Sequence, residues 1–271
     1  HLSPSPRQAM NKANRQTSQI KSLFDKEKKR KTAAVPKVKR PDRVTTEALG
    51  HAGVSTVHEA QGRIGLMKPY MRPIYAGAKV SGTAITVLAQ PGDNWMLHVA
   101  IELCQPGDML VVACTTDNGD GFFGDLLATS ARARGVVGLV IDGGTRDVAD
   151  LQQMGFPVWS RAISSKGTVK NTLGAANVPI ICAGQIIFPG DVIISDDDGI
   201  CFVARKDAPS ALQAADERIA NEDAKRVKLA AGELGIDIYN MRPALAEAGF
   251  HYVETLDHLG EFNGIDCRNR D

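Results

Sequence analysis

Residues 119–147 read GDGFFGDLLATSARARGVVGLVIDGGTRD, and this stretch decides the fold. Residues 119–124 form a glycine-rich loop by composition. Over residues 125–134, Leu126, Leu127 and Ser130 fall at helical spacing, and Gly135 stops the helix. Residues 136–141 are a continuous apolar run, the pattern of a strand buried on both faces. A second loop, 142–147, holds Gly143 and Gly144, which permit a close approach of backbone to a ligand. Loop, helix, buried strand and loop are the heart of a βαβ-like unit, so the class is α/β.

Working outward, short apolar runs alternate with helical segments from residue 44 onward. Strands are expected at 80–88, 109–114, 158–162, 178–182, 192–195 and 200–204. Helices are expected at 94–102, after the loop at 142–147 as far as 154, at 208–232 and at 236–248. Another is expected at 45–63, broken at 51–53, with Ser55 able to cap its second part. Pro-Gly-Asp occurs three times, ending at Asp93, Asp108 and Asp191, each time as a turn signal, the last two directly before a strand.

The whole chain of 271 residues is long enough to bury a core without a disulfide framework. Its net charge of +1 hides a division. Residues 1–43 carry 13 Lys and Arg against 3 Asp and Glu, a net of +10; the other 228 residues carry 19 against 28, a net of −9. The acidic body is a poor general nucleic-acid surface, which needs clustered cations, and 5% aromatics argue against a base-stacking platform. The basic arm, with Lys28-Lys29-Arg30-Lys31 and residues 36–41 (PKVKRP), is expected to be disordered and stands apart from the fold. A nuclear-localisation or nucleic-acid patch is its other reading. The domains so expected are a basic arm at 1–43, one body at 44–252 and a tail at 253–271. The five cysteines have no CxxC spacing and read as reduced thiols, four of them in apolar runs. No apolar run approaches the ~18 residues of a membrane span and no secretory leader is evident, so the expected compartment is the cytoplasm.

The chemistry centres on Asp125 and on Arg146-Asp147. Asp125 opens a helix, where its carboxylate can cap and where free N–H groups face any bound anion. Arg146 and Asp147 follow a buried strand, the place where open α/β folds hold ligands. Two carboxylates, a guanidinium and a row of amides suit a divalent cation and an α-keto acid. They equally suit a helix cap and a loop salt bridge, and spacing alone leaves both readings open.

Six segments carry a resemblance: GVSTVHEAQGRIGLMKPYMRPIYAGA (53–78), QPGDNWMLHVA (90–100), DGFFGDLLATSARARG (120–135), IDGGTRD (141–147), FPVWSRAISSKGT (156–168) and SDDDGI (195–200). Through them the chain resembles the 4-hydroxy-4-methyl-2-oxoglutarate/4-carboxy-4-hydroxy-2-oxoadipate aldolases. These share a superfamily with the regulator of ribonuclease E activity A. The resemblance implies a three-layer β/β/α swivelling-type domain, assembled as homotrimers or homohexamers. It implies Mg²⁺ or Mn²⁺ ligated by Asp147, and Arg146 on the pyruvoyl keto oxygen. Asp125 would orient a metal-bound water that takes the C4-hydroxyl proton. The amides of Leu126 and Leu127, with Gly124 beside them, would hold the pyruvate carboxylate. Glu222 matches an acid supplied by a neighbouring subunit, or is a solvated charge on a helix face. The implied reaction is retro-aldol cleavage of 4-carboxy-4-hydroxy-2-oxoadipate, and also of 4-hydroxy-4-methyl-2-oxoglutarate, to pyruvate plus oxaloacetate or pyruvate, with oxaloacetate decarboxylation as a side activity or the main role. The superfamily's regulator-like members imply an alternative, a non-catalytic interaction protein.

Other candidates are weaker. The histidines show no HxxH or HExxH spacing, so zinc is not expected; His58 reads as part of a helix's polar face. Lys166 lacks the apolar setting of a Schiff-base lysine, but it or Arg72 suits a distal substrate carboxylate. Asp196-Asp197-Asp198-Gly199 reads as a tight turn, because adjacent side chains on a strand diverge.

Overall fold

The computed structural model describes residues 32–268. They fall into two compact units, one ending at Arg218 and the other running from Ile219. In the first unit the strands in chain order are β1 (Arg72–Pro73), β2 (Val80–Ala89), β3 (Asp108–Cys114), β4 (Gly121–Phe123), β5 (Gly138–Thr145), β6 (Val158–Ile163), β7 (Ala175–Ala176), β8 (Ile180–Cys182), β9 (Gln185–Ile187), β10 (Val192–Asp196) and β11 (Gly199–Val203). The helices are α1 (Arg43–Ala52), α2 (Val54–Ala60), α3 (Trp95–Leu103), α4 (Asp125–Ala133), α5 (Val148–Met154) and α6 (Ala208–Ala230), the last of which continues into the second unit.

One nine-stranded sheet runs β1-β6-β5-β3-β2-β10-β11, with β4 on β5 and β7 on β2. The central strands β2, β3, β5 and β6 are mutually parallel, while β1, β7, β10 and β11 are antiparallel to their neighbours. Strand β3 shows why the central strands are continuous apolar runs. Leu110 and Val112 pack with Leu97, Leu127 and Leu151 of α3, α4 and α5 on one face. Met109 and Val111 alternate to the other face and meet Ile180 and Ile187 of the β8–β9 pair. Helices, sheet and β-hairpin make three layers, β/β/α, as the resemblance implied. A third apolar cluster joins α1, α2 and α6 to β10 and β11 through Leu49, Val57, Ala211 and Ile194.

The Pro-Gly-Asp turns share a device. Each glycine has positive φ (Gly92 69°, Gly107 91°, Gly190 95°), and each aspartate is buried and receives backbone N–H groups. Asp108 accepts from Gln105 N at 2.7 Å and Asp191 from Phe188 N at 2.8 Å, so each closes its own turn at a strand entry. Burial pushes the Asp191 carboxyl above its ordinary value despite its bonds from Phe188 and Arg205.

Several expectations are corrected. Residues 32–43 are ordered, not a free arm; residues 1–31 lie outside the described residues. Val35 N donates to Ala176 O at 3.1 Å, and Ala176 N donates to Ala33 O at 2.9 Å. Arg40 donates through Nε and Nη2 to both oxygens of the fully buried Asp108, at 2.8 and 2.7 Å. The charge run therefore alternates: Val38 packs on the core and Arg40 finds a buried partner. Ser55 does not cap α2; its hydroxyl donates to Asp198, and Asp196 accepts from Val54 N instead. The loop 119–124 contains β4, and β5 extends through Thr145 because β4 pairs with its end. Only residues 180–182 of the expected strand 178–182 are in β8.

The second unit carries the rest of α6, then α7 (Gly235–Ile238), α8 (Arg242–Glu247), α9 (Leu256–Leu259) and the short pair β12 (Glu261–Phe262) with β13 (Ile265–Asp266). The single helix expected at 236–248 is two, parted at Asn240 with φ 50° and restarted with Pro243 in the first turn. No helix among the described residues is long and apolar enough to cross a membrane.

Candidate active site

Arg146 and Asp147 leave the end of β5, where Arg146 N donates to Phe123 O at 2.9 Å. Asp147 takes φ 56°, left-handed and rare for a residue with a side chain. That conformation starts α5 while sending the carboxylate to another helix. Asp147 Oδ2 accepts from Asp125 N at 3.2 Å, at the first turn of α4. Gly124 is required there: a Cβ on it would lie 2.1 Å from Asp147 Oδ2. Asp125 is the first residue of α4 and makes no side-chain cap, so its expected capping role passes to Asp147. Arg146 Nε lies 3.5 Å from Asp147 Oδ2. Leu127 is buried in the core, whereas the Leu126 side chain is 78% exposed. Ala128 N is the amide that returns to Gly124 O, so the Leu126 and Leu127 amides precede the helical ladder.

These groups line a cleft of ≈ 140 Å³ that holds Gly124, Asp125, Leu126, Leu127, Arg146 and Asp147 together. Its other lining residues include Asn94, His98, Thr168 and Lys170, which the sequence reading did not single out. The first Pro-Gly-Asp turn builds that wall. Asp93 Oδ1 accepts from Trp95 N at 2.8 Å, and Oδ2 accepts from Asn171 N and Thr172 N at 2.6 and 2.8 Å. Val169 N donates to Gly92 O and Asn94 N to Val169 O, so the segment bearing Lys170 is strapped to the start of α3. Burial acts against the Asp93 carboxylate, but the amides of Asn171, Trp95 and Thr172 outweigh it and hold the carboxyl below its ordinary value. Asn94 Nδ2 donates to Phe122 O at 3.0 Å, while its Oδ1 is buried with no partner among the described residues. His98 is held below its ordinary value by partial burial and then by the Lys170 cation. Asn94 and His98 stand four residues apart, a legible one-face spacing. Lys170 carries no such local signal.

Gly144 serves close backbone packing, since a Cβ on it would lie 2.2 Å from Gly119 O, whereas one on Gly143 would come no nearer than 3.3 Å, to the Ile141 side chain; neither lines the cleft. Lys166 pairs with Asp120 at 3.0 Å, and Arg72 donates to the carbonyls of Asp197 and Asp198; neither lines the cleft. The turn at Asp196–Asp198 is structural, with Asp197 accepting from Gly77 N at 2.9 Å. The His58 ring lies 3.0 Å from Ile64 O, outside the cleft lining. Every residue lining the cleft belongs to the first unit; Glu222 lies on α6 in the second.

A family model described as RraA-like, Aldolase/RraA, matches residues 45–202, more than half of the chain and the whole of this cleft. The chain belongs to the RraA-like family. Among its relatives, a protein of Halalkalibacterium halodurans named "Putative 4-hydroxy-4-methyl-2-oxoglutarate aldolase" is 30% identical over 62% of this chain and 80% of its own length. A protein of the same name from Burkholderia multivorans is 30% identical over 54% of this chain and 88% of its own. The crystal structure of Streptomyces coelicolor RraAS2, described as an unusual member of the RNase ES inhibitor RraA family, superposes with a TM-score of 0.63 at 28% identity. It covers 69% of this RraA-like chain and 98% of its own.

Among the described residues of this RraA-like chain, no group of three or more His, Cys, Asp or Glu is placed to hold a metal ion. The cleft nonetheless offers two carboxylates, Asp125 and Asp147, and no soft donor. Mg²⁺ or Mn²⁺ fits that set, since Mg²⁺ keeps several waters and takes only one or two carboxylates.

Proposed function

We propose that this RraA-like protein is a divalent-metal-dependent pyruvate aldolase, a carbon–carbon lyase of the type named in its relatives. The observation that carries the reading is Asp147, held in a left-handed conformation with its carboxylate against the first turn of α4 and its neighbour Arg146 in the same cleft. The substrates are 4-carboxy-4-hydroxy-2-oxoadipate and 4-hydroxy-4-methyl-2-oxoglutarate, with oxaloacetate decarboxylation as a side activity.

Asp147 would hold Mg²⁺ or Mn²⁺, with Asp125 orienting water beside it. The ion, when bound, supplies Lewis-acid withdrawal of electron density from the 2-oxo acid. The amides of Leu126 and Leu127, at a helix N-terminus, receive the substrate's C1 carboxylate. The Arg146 guanidinium stabilises charge developing on the C2 oxygen as the C3–C4 bond breaks. Lys170, rather than Lys166 or Arg72, receives a distal carboxylate. Glu222 would complete the site from a neighbouring copy in a homotrimer or homohexamer. The setting is the cytoplasm, where the five free thiols stay reduced.

The test is kcat/KM for both hydroxy acids and oxaloacetate, on wild type and Arg146→Ala. The reading predicts pyruvate release with a loss of about 100-fold or more in the variant. Near-full activity of Arg146→Ala contradicts the site, and a dominant preference for oxaloacetate moves the main role to decarboxylation. A second reading, a non-catalytic regulator of a ribonuclease, draws on the likeness to the Streptomyces coelicolor protein. It predicts salt-sensitive binding to RNA or to the ribonuclease with no turnover of any 2-oxo acid.

A further inference from the structure

The Arg146 side chain, on which the reading above places the charge developing in the reaction, follows a track of three glycines. A Cβ on Gly121 would lie 3.3 Å from Arg146 Cβ, one on Gly124 3.2 Å from Arg146 Cγ, and one on Gly167 3.2 Å from Arg146 Nη1. The track thus runs from the base of the side chain to the tip of its fork. None of the three glycines lies in the left-handed region, so space and not a turn calls for glycine at these positions. Gly121 and Gly124 have further duties, since their added carbons would also meet Ser164 O at 2.4 Å and Asp147 Oδ2 at 2.1 Å. Gly167 has no such second duty. Beyond its chain neighbours, its Cβ would come within 4 Å of one heavy atom among the described residues, Arg146 Nη1. We propose that Gly167 is a positioning residue that sets where the Arg146 guanidinium lies, an inference that rests on the aldolase reading.

A separation of 3.2 Å is shorter than ordinary van der Waals contact, so a methyl group at 167 forces one partner to give. The backbone at Gly167 is the stiffer partner. Gly121 N donates to Lys166 O at 2.7 Å on one side of it, and Val169 N donates to Gly92 O at 2.9 Å on the other. Lys166 adds its ion pair with Asp120 at 3.0 Å. The Arg146 side chain is 44% exposed, and its ion pair with Asp147 is a loose one at 3.5 Å. The guanidinium therefore moves, by a few tenths of an ångström, and the loop stays. Glycine at 167 lets the fork lie against the segment that continues into Thr168 and Lys170 of the cleft wall. An oriented charge stabilises the C2 oxygen best at one geometry, so even a small displacement weakens it.

The test measures kcat and KM for pyruvate release from 4-carboxy-4-hydroxy-2-oxoadipate with Mg²⁺ present, together with urea midpoints. The variants are Gly167→Ala, Gly119→Ala, Arg146→Lys and the double variant Gly167→Ala/Arg146→Lys. A Cβ on Gly119 would lie 3.6 Å from Ala162 Cβ, an ordinary contact, so Gly119→Ala controls for an added methyl group on the adjoining loop. Arg146→Lys keeps a cation but has no Nη1 for the methyl group to meet. Gly167→Ala is expected to lose about 10-fold in kcat with KM nearly unchanged, at the wild-type urea midpoint. Gly119→Ala should match wild type in all three. In the Arg146→Lys background the same glycine change should cost less than about twofold, because its effect passes through the Arg146 fork. A wild-type kcat in Gly167→Ala, a loss confined to KM, a lowered urea midpoint or an equal loss in the Arg146→Lys background would overturn the assignment. Failure of the aldolase reading looks different: wild type itself would then release no pyruvate.

Discussion

Gly124 and Asp147 illustrate how single residues make this site. A methyl group on Gly124 would occupy the place of Asp147 Oδ2, 2.1 Å away, and push the carboxylate off α4. Gly124→Ala should therefore lower Mg²⁺-dependent pyruvate release by about 100-fold or more while the thermal midpoint moves little, because the strain falls on a partly exposed carboxylate. The residues proposed for the chemistry are legible from Gly124-Asp125 and Arg146-Asp147, which the fold brings into one cleft. Their local bonding was not, because the cap on α4 comes from a residue beyond the next strand. Asp93 is the counterpart on the other wall. Asp93→Asn puts an N–H donor against amide N–H groups and should cost about 1–3 kcal/mol in urea unfolding. It should also raise KM, since Asp93 fixes the segment bearing Lys170. The folded-state carboxyl lies below its ordinary 3.8, so this stabilisation is complete above that pH. Acid removes it as the folded carboxyl itself titrates, and the variant should lose that part of the acid sensitivity.

Elements were readable in proportion to how locally they are specified. Strands β2, β3 and β5 are apolar because both faces are covered, so their runs stand out in the sequence. Strand β4 has three residues and exists through pairing with β5, so it read as loop. The extended segment before α1 was missed for the same reason: its partners, Ala176 and Asp108, are distant in the chain. That segment makes a sharp prediction. Arg40→Ala leaves the buried Asp108 without its cation and should cost about 3 kcal/mol in urea unfolding. Arg43→Ala removes only an exposed pair with Glu47 four residues on, and should cost less than about 0.5 kcal/mol. Equal effects would show that the Arg40 pair is not a structural tie.

Across the whole molecule, the near-neutral charge conceals a basic N-terminal stretch and an acidic remainder. The border between stretch and fold does not lie at residue 43, because residues 32–42 are docked on the first unit. Deleting residues 1–31 should leave kcat/KM for pyruvate release unchanged, whereas deleting 1–42 should lower the urea midpoint by removing Arg40. On the proposed reading the acidic body would handle an anionic substrate through local positive potential from Arg146, Lys170 and the first-turn amides of α4, which share one cleft. Under the proposed reading a divalent cation adds to that potential, and Asp147 would be its ligand. The most direct measurement is pyruvate release from 4-carboxy-4-hydroxy-2-oxoadipate during a Mg²⁺ titration of wild type and Asp147→Asn. The account predicts saturable Mg²⁺ dependence that EDTA abolishes in wild type, and turnover lost in the variant. EDTA-resistant turnover, or a wild-type Mg²⁺ response in Asp147→Asn, would contradict it.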